Sequence, residues 1–438
     1  MKNTTKNLYK FLLFWLVVLP IYQDSPFSIF LGAAGYAVLM PLSLIFIVVY
    51  IVVKSRVPKN PRLTELMRLG YYLCCISFVA IIAWCALGNS LTVVGELLPI
   101  KAIKVCLQYF SYSAYIALVL ICVRKVGTEC LERYAYFTLL VLTGICLIEL
   151  KQIPYALQAI HFAGTFPYWR VRLLTVESSW TAMMIYVYSI ISLCYGVKIR
   201  KKSVVWSSVL CIGILILSSG SKTLMVSVAI ILVLYVAFSL KHLNEKTQWK
   251  IMGGLFIGVL AIVVLSPTLI HAVQADIEQF TSIATRGYTA LVSMGIGITI
   301  PIGVGGAVYL GVFQYALKKF LFLFNLLPVK LNVSEVESLA FSKTDAALTA
   351  KSGLLQRNMY WGIFGTMYLL HNFALVSKTL RKKRVKNNTL LRAAFWGAVI
   401  LTTFACEFSF EFWLLYSYLI CLNEATATER EKRCFLTS

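Results

Sequence analysis

Apolar stretches of about 20 residues recur along the chain, separated by short polar segments. A helix of that length spans the ~30 Å hydrocarbon core at about 1.5 Å per residue. The pattern predicts membrane-crossing helices near 8–22, 28–53, 69–88, 102–123, 136–152, 179–197, 203–219, 223–240, 251–271, 355–377, 390–406 and 408–422. The alternating rhythm of a membrane β-barrel is absent. The expected fold is an all-α polytopic integral membrane protein of about 12 transmembrane helices, with 1–438 as one integral membrane domain. Residues 289–328 are apolar enough to cross but carry Gly295, Gly297, Pro301, Gly303, Gly305 and Gly306. Two crossings would keep the parity of the chain. The preferred reading is a helix at the outer face, or one dipping partly into the membrane, and then a Gly-rich turn. Such irregular backbone is tolerated only where protein or a water-filled cavity surrounds it.

The polar intervals orient the chain. The main basic clusters lie in Lys54–Arg68, Lys198–Lys202 and Lys378–Arg392, with smaller ones in Arg124–Arg133, Lys241–Lys250 and at both termini. All share one side if the first helix starts in the cytoplasm, so both termini are expected there. Two long extracytoplasmic loops remain, 153–178 and 272–354. No internal repeat is visible, which argues against a transporter built from two related halves.

Composition adds little. The chain is 59% hydrophobic and 13% charged, with a mean hydropathy of +0.79. Lys and Arg outnumber Asp and Glu by 41 to 18. Because that excess sits in short loops, it reads as membrane orientation, with no nucleic-acid partner. The 12 cysteines show no Cys-x-x-Cys spacing. Those such as Cys74, Cys75, Cys106, Cys146 and Cys211 read as small apolar fillers. The first span follows a basic start without a small-residue cleavage site and reads as a retained helix.

Charge near lipid is the informative exception, since an arginine at the bilayer centre costs roughly 2.5–3.5 kcal/mol. The first outer loop ends in Arg-Val-Arg-Leu-Leu-Thr-Val-Glu-Ser-Ser-Trp, residues 170–180, and the second carries Thr285-Arg286-Gly287-Tyr288. Arginines kept at a membrane face suit an anionic ligand, a lipid-linked phosphate or pyrophosphate foremost. Arg170 and Arg172 would clamp the diphosphate. Glu177 would sit beside the first turn of the next helix, if Ser178 or Ser179 caps it, and could accept a proton from a sugar hydroxyl. The plainer reading is an interfacial Arg–Glu pair, with Tyr168, Trp169 and Trp180 as belt aromatics. Arg286 taken alone reads as surface decoration.

Other residues carry paired readings too. Lys222, in the turn Ser218-Ser219-Gly220-Ser221-Lys222-Thr223, is either a further cation or part of a polar hairpin; P-loop spacing is missing. Lys351-Ser352-Gly353 precedes a helix in which Arg357 reads as snorkelling, while Gly362 and Gly365 read as close packing. Glu149 is expected to pair with Lys151. Glu407 and Glu411 are expected to be exposed at the last outer turn. His161 and His271 are the histidines nearest the site. The aspartates are Asp24, Asp276 and Asp345, none expected to pair, and neither Asp-x-Asp nor His-Glu-x-x-His occurs. No metal or other cofactor is expected, which argues against metal-dependent nucleotide-sugar transferases, intramembrane proteases and ATP-driven pumps.

Together these motifs resemble O-antigen and exopolysaccharide repeat-unit polymerases, the Wzy family. In that family an arginine is followed, seven residues on, by Glu-Pro-Ser at a helix start. Arg170, Glu177 and Ser179 match, with Ser178 in place of the proline and Leu173 in place of a usual glycine. The turn ending in Lys222-Thr223 resembles a serine-rich turn before Arg-Thr. Thr285-Arg286 and the Pro301–Gly306 turn resemble the second arginine loop. Ser352-Gly353 through Gly362-Ile363-Phe364-Gly365 resembles the closing loop and Gly-Ile-x-Gly helix. The four matches fall in family order over roughly 165–370.

The resemblance implies a C-type glycosyltransferase-like fold in the bacterial inner (plasma) membrane, with its active site on the extracytoplasmic face. It implies metal-independent, inverting transfer of a growing glycan from undecaprenyl pyrophosphate to a lipid-linked repeat unit. Glu177, Arg170 and Arg286 would be catalytic; Arg170, Arg172, Lys222, Arg286 and Lys351 would hold pyrophosphate. Membrane lipid, a chain-length regulator and a flippase are the implied partners. Related ligases often carry a histidine before the Gly-Ile-x-Gly helix; none stands between Ala272 and Met359, which favours a polymerase. Competing expectations are a lipid-linked oligosaccharide flippase or other transporter, a ligase, a scaffold, and an enzyme adding one branch sugar.

Overall fold

A computed structural model describes residues 2–31, 35–54, 59–164, 166–219, 222–240, 281–324, 333–344, 348–382, 388–404 and 406–436. The predicted span 251–271, His271, Asp276 and Asp345 lie outside them. Among the described residues the architecture is helical, apart from one two-stranded hairpin, β1 (Thr92–Val93) paired antiparallel with β2 (Glu96–Leu97). The helices are α1 (Lys2–Val18), α2 (Leu39–Lys54), α3 (Pro61–Ala86), α4 (Leu98–Val126), α5 (Thr128–Gln152), α6 (Thr181–Lys198) and α7 (Lys202–Ser219). They continue with α8 (Lys222–Leu240), α9 (Thr281–Thr299), α10 (Gly305–Phe324), α11 (Ser334–Ala340), α12 (Gly353–Lys382), α13 (Asn388–Phe404) and α14 (Phe410–Leu436).

Five described helices, α3 to α7, are long and apolar enough to cross a membrane. This is a helical membrane protein, and its burial pattern sorts inner helices from outer ones. The apolar windows of α4 and α6 are 78% and 83% buried, whereas that of α7 is 22% buried. Along α6 every residue from Thr181 to Ile191 is buried, and along α14 every residue from Phe410 to Cys421. A helix that is apolar all round belongs among other helices, and α4, α6 and α14 form the bundle centre, with α14 packed on both. Outer helices leave large apolar side chains uncovered, such as Ile82 of α3 and Leu217 of α7. Without a hydrocarbon solvent, an apolar surface of this extent would be anomalous.

Two expected spans differ in detail. The stretch 28–53 is not one helix: a single turn at Ser28–Leu31 precedes α2. Gly35 packs so close to the Phe27 carbonyl that a Cβ would collide with it, and this close reversal stops a helix running through. The helix covering 355–377 is broken at Gly362, whose φ of 68° only glycine adopts readily.

That break receives the turn between α9 and α10. Val304 N–H donates to Met359 O at 2.9 Å, and a Cβ on Gly303 or Gly362 would strike the opposing backbone. Gly306 N–H also donates to Ser77 Oγ at 2.8 Å. Gly362 lies nine residues into α12 and Ser77 nine residues before the end of α3, about 13 Å of helix in each case. Both limbs lead back to segment 333–350. Thr285 donates to Glu335 and Thr289 to Ala350 O, while Gln314 donates to Ser342 O. α9 and α10 therefore form a hairpin that enters the bundle from one end, turns part-way through, and returns to that end.

Candidate functional site

A cavity of about 380 Å³ opens at the end where α2, α4, α6, α9, α12 and α14 begin. Six helix N-termini there leave partial positive charge from unsatisfied N–H groups. Charged side chains add to that field: Lys101 and Lys104 from α4, Arg286 from α9, Lys351 before α12 and Arg357 within it, against Glu96, Glu177 and Glu407.

Arg357 is the decisive residue. It is 6% exposed, and its guanidinium lies 5.2 Å from the Tyr360 ring centroid. Among the described residues it makes neither a hydrogen bond nor an ion pair. The sequence reading as a snorkelling arginine is corrected here: the side chain turns into the bundle, on the face of α12 it shares with Tyr360, and lines the cavity. A buried, always-charged guanidinium with no carboxylate bonded to it is costly unless a ligand supplies an anion.

Glu407 faces the same space from the linker between α13 and α14. Burial pushes its carboxyl above the usual carboxylate range; Arg357 and Lys351 pull it part-way back, and Glu177 adds to the rise. The linker is pinned on both sides. Gly353 N–H donates to Cys406 O at 2.9 Å, Ser352 Oγ–H to Thr403 O at 2.6 Å, and Tyr112 O–H to Phe408 O at 2.9 Å. A Cβ on Gly353 would press on the Phe408 N and Glu407 backbone, so glycine permits this approach. Exposure at an outer turn holds for Glu407, which also lines the cavity, and was the wrong expectation for Glu411, which is 0% exposed and accepts from Gln23 Nε2.

Glu177 also lines the cavity. Thr175 Oγ–H donates to the Glu177 carbonyl at 2.7 Å, and Ser178 N–H donates to Tyr168 Oη at 2.9 Å. Neither Ser178 nor Ser179 caps α6, whose N-cap is Trp180 without a side-chain cap; Ser178 instead accepts from Thr181 Oγ–H through its carbonyl.

Arg170 and Arg172 depart from expectation. Arg170 is exposed and does not line the cavity. Arg172 is 1% exposed, with its guanidinium between the rings of Phe166 and Tyr168, at 4.4 and 4.7 Å from their centroids. It belongs to a separate buried cluster. Asp24 accepts from Ala163 N–H at 2.7 Å and Phe162 N–H at 3.2 Å, and its Oδ2 lies 2.8 Å from His161 Nδ1. Glu149, expected to pair with Lys151, instead accepts the Arg172 and Leu173 N–H groups, each at 2.8 Å. Asp24, expected to be unpaired, holds His161, and His161 stands away from the cavity. This cluster fastens the first long loop to the bundle, which fixes where Glu177 stands.

Of the other expected cations, Arg286 and Lys351 line the cavity, Arg286 from within α9 and not from a loop. Lys222 opens α8, and its side chain lies outside the described residues. The sequence reading missed Lys101 and Lys104, and Gln356, which donates from Nε2 to Tyr360 Oη and accepts from Ala350 N–H. Their signal was a pair of lysines at a helix start opposite a polar turn, and it stands out only when α12 is laid beside α4.

No protein-family model matches the chain, and no curated protein matches it.

Proposed function

We propose that the cavity binds the diphosphate of a lipid-linked glycan, and that the protein is a polymerase of undecaprenyl-pyrophosphate-linked repeat units. The observation that carries this reading is Arg357, buried and without an ion pair among the described residues, in a pocket shared with Arg286, Lys351 and three carboxylates. The terminal hydroxyl of one lipid-linked unit attacks the anomeric carbon of the donor glycan. The new C–O bond forms as the bond to the diphosphate breaks, with inversion. The reaction needs charge stabilisation on the departing diphosphate, and fixed cations beside helix N-termini supply it without reorganisation. In this reading Arg357, Arg286 and Lys351 hold the diphosphate. Arg170 and Arg172 leave the diphosphate clamp to them.

The membrane arrangement follows. The cavity faces the extracytoplasmic side of a bacterial inner membrane, the termini are cytoplasmic, and about 12 spans surround the site in a C-type glycosyltransferase-like arrangement. The α9–α10 hairpin is a re-entrant element whose glycine turn is sheltered by α3 and α12.

The test is polymerisation in EDTA by purified protein, given synthetic undecaprenyl-pyrophosphate repeat units from the host polysaccharide. A ladder of lipid-linked products from wild type, lost in Arg357→Ala, is the expected result. Headgroup-dependent movement of lipid across liposomes with no ladder would make the protein a flippase.

A further inference from the structure

We propose that Glu407 is the catalytic base of this cavity, taking the proton from the attacking hydroxyl. This rests on reading the cavity as a glycosyl-transfer site, and it moves the base from the loop residue Glu177 to the linker of the last two helices.

The argument begins with the backbone. Cys406 and Phe408 are 6% and 5% exposed, so the linker is buried on either side of Glu407 while Glu407 itself opens to the cavity. Hydrogen bonds from Gly353 and Tyr112 to the flanking carbonyls fix the peptide planes beside it. An acid so mounted is preorganised, whereas Glu177 rides on a loop seated by the Asp24–Arg172 cluster. A base must hold its charge beside a departing anion without being neutralised by the cations that bind that anion. Arg357 and Lys351 act on Glu407 electrostatically, yet neither is bonded to it in an ion pair among the described residues. Desolvation by the surrounding protein, with Glu177, raises the carboxyl against the pull of Arg357, Lys351 and a hydrogen bond from Thr349, while the side chain stays open to the cavity. Two carboxylates within electrostatic reach do not ionise independently, and Glu177 keeps Glu407 receptive to a proton.

The step balances. The hydroxyl proton passes to a Glu407 carboxylate oxygen as the hydroxyl oxygen bonds the anomeric carbon. The anomeric C–O bond electrons leave with the polyprenyl diphosphate, whose charge Arg357, Arg286 and Lys351 receive. Glu407 then releases its proton to water, and no other reactant is needed.

The experiment compares wild type with Glu407→Gln, both shown to be folded by thermal melting in detergent. It measures binding of undecaprenyl pyrophosphate and turnover of lipid-linked repeat units across pH 4–9. Glu407→Gln is expected to bind the diphosphate at least as tightly, because a neighbouring negative charge is gone. Its turnover is expected to fall by about 10²–10⁴-fold, the usual worth of a general base. Wild-type turnover is expected to fall on the acid side as Glu407 protonates, and the residual activity of the variant is expected to lack that limb. Turnover within tenfold of wild type, an unmoved acid limb, or loss of binding together with turnover each overturns the proposal while the polymerase reading stands. Absence of polymer from folded wild type overturns the polymerase reading and this assignment with it.

Discussion

Two clusters of charge lie toward the same end of this bundle, one buried and one opening on a cavity, and answer different needs. In the first, Asp24, His161, Glu149 and Arg172 meet among themselves and among backbone N–H groups that their carboxylates accept. In the second, Arg357, Arg286 and Lys351 face Glu177 and Glu407 across open space, and Arg357 rests against a ring. Both contain arginine and glutamate within an apolar protein, so residue type alone cannot separate them. Internal compensation can. A charged group already given its partners is a fastener, and one held without them is shaped for something that arrives.

The comparison breaks first at Arg357. Arg357→Ala should lower turnover by about 10²–10³-fold, the cost of removing one fixed donor to a developing anion. It should lower stability by no more than about 1 kcal/mol, because what the bundle gives up is the stacking of a guanidinium on the Tyr360 ring. Steady-state kinetics and thermal melting on one preparation check both. A large loss of stability would make Arg357 a fastener like Arg172.

Arg172→Ala should do the reverse. It removes a fully buried guanidinium from between the Phe166 and Tyr168 rings, within electrostatic reach of Asp24 and Glu149, and two desolvated cation–π contacts are together worth roughly 2–4 kcal/mol. Expected outcomes are a much lower melting temperature and turnover that falls only in proportion to the folded fraction. Full stability with lost turnover would return Arg172 to the diphosphate.

Asp24 sharpens the same point through pH. Burial pushes its carboxyl up, but His161 and the Ala163 and Phe162 N–H groups outweigh burial and bring it below the ordinary value of 3.8. A carboxyl whose folded value is depressed contributes stability that is complete above its unfolded value and is lost as pH falls through the folded one. The stability gap between wild type and Asp24→Asn should therefore be full at pH 7 and close below about pH 4. A gap independent of pH in melting curves would show that the carboxylate charge is not what holds the loop.

This division also explains what could be read in advance. The inner helices α4 and α6 were legible because their apolar runs are long and unbroken. The glycines at 303, 305 and 306 marked a turn, the first two because positive φ and close backbone approach demand them and the third because it packs against the Val105 side chain. Arg286, Lys351 and Glu177 were legible as charges at helix starts. Arg357 was not, because local rules offer a lone arginine near a helix end snorkelling, and Glu407 was legible as an exposed turn residue but not as one that faces a cavity. What overrides those rules is the meeting of α4, α9, α12 and the 406–409 linker, segments remote in sequence whose approach leaves no period to detect. The Asp24–His161 pair was hidden for the same reason, its members standing 137 residues apart.

Arg170 carries the smallest expected effect and the closest test of the reasoning. Its spacing to Glu177 made it a foremost candidate in the sequence, yet it is exposed and outside the cavity lining. Exposed charges contribute about 0–1 kcal/mol, so Arg170→Ala should leave both melting temperature and turnover within about twofold of wild type. A loss of turnover as deep as that of Arg357→Ala, at unchanged stability, would mean that the first long loop swings over the cavity when substrate enters. The Asp24–Arg172 cluster would then be the hinge about which it moves and not a fixed anchor, and the two clusters would be parts of one device.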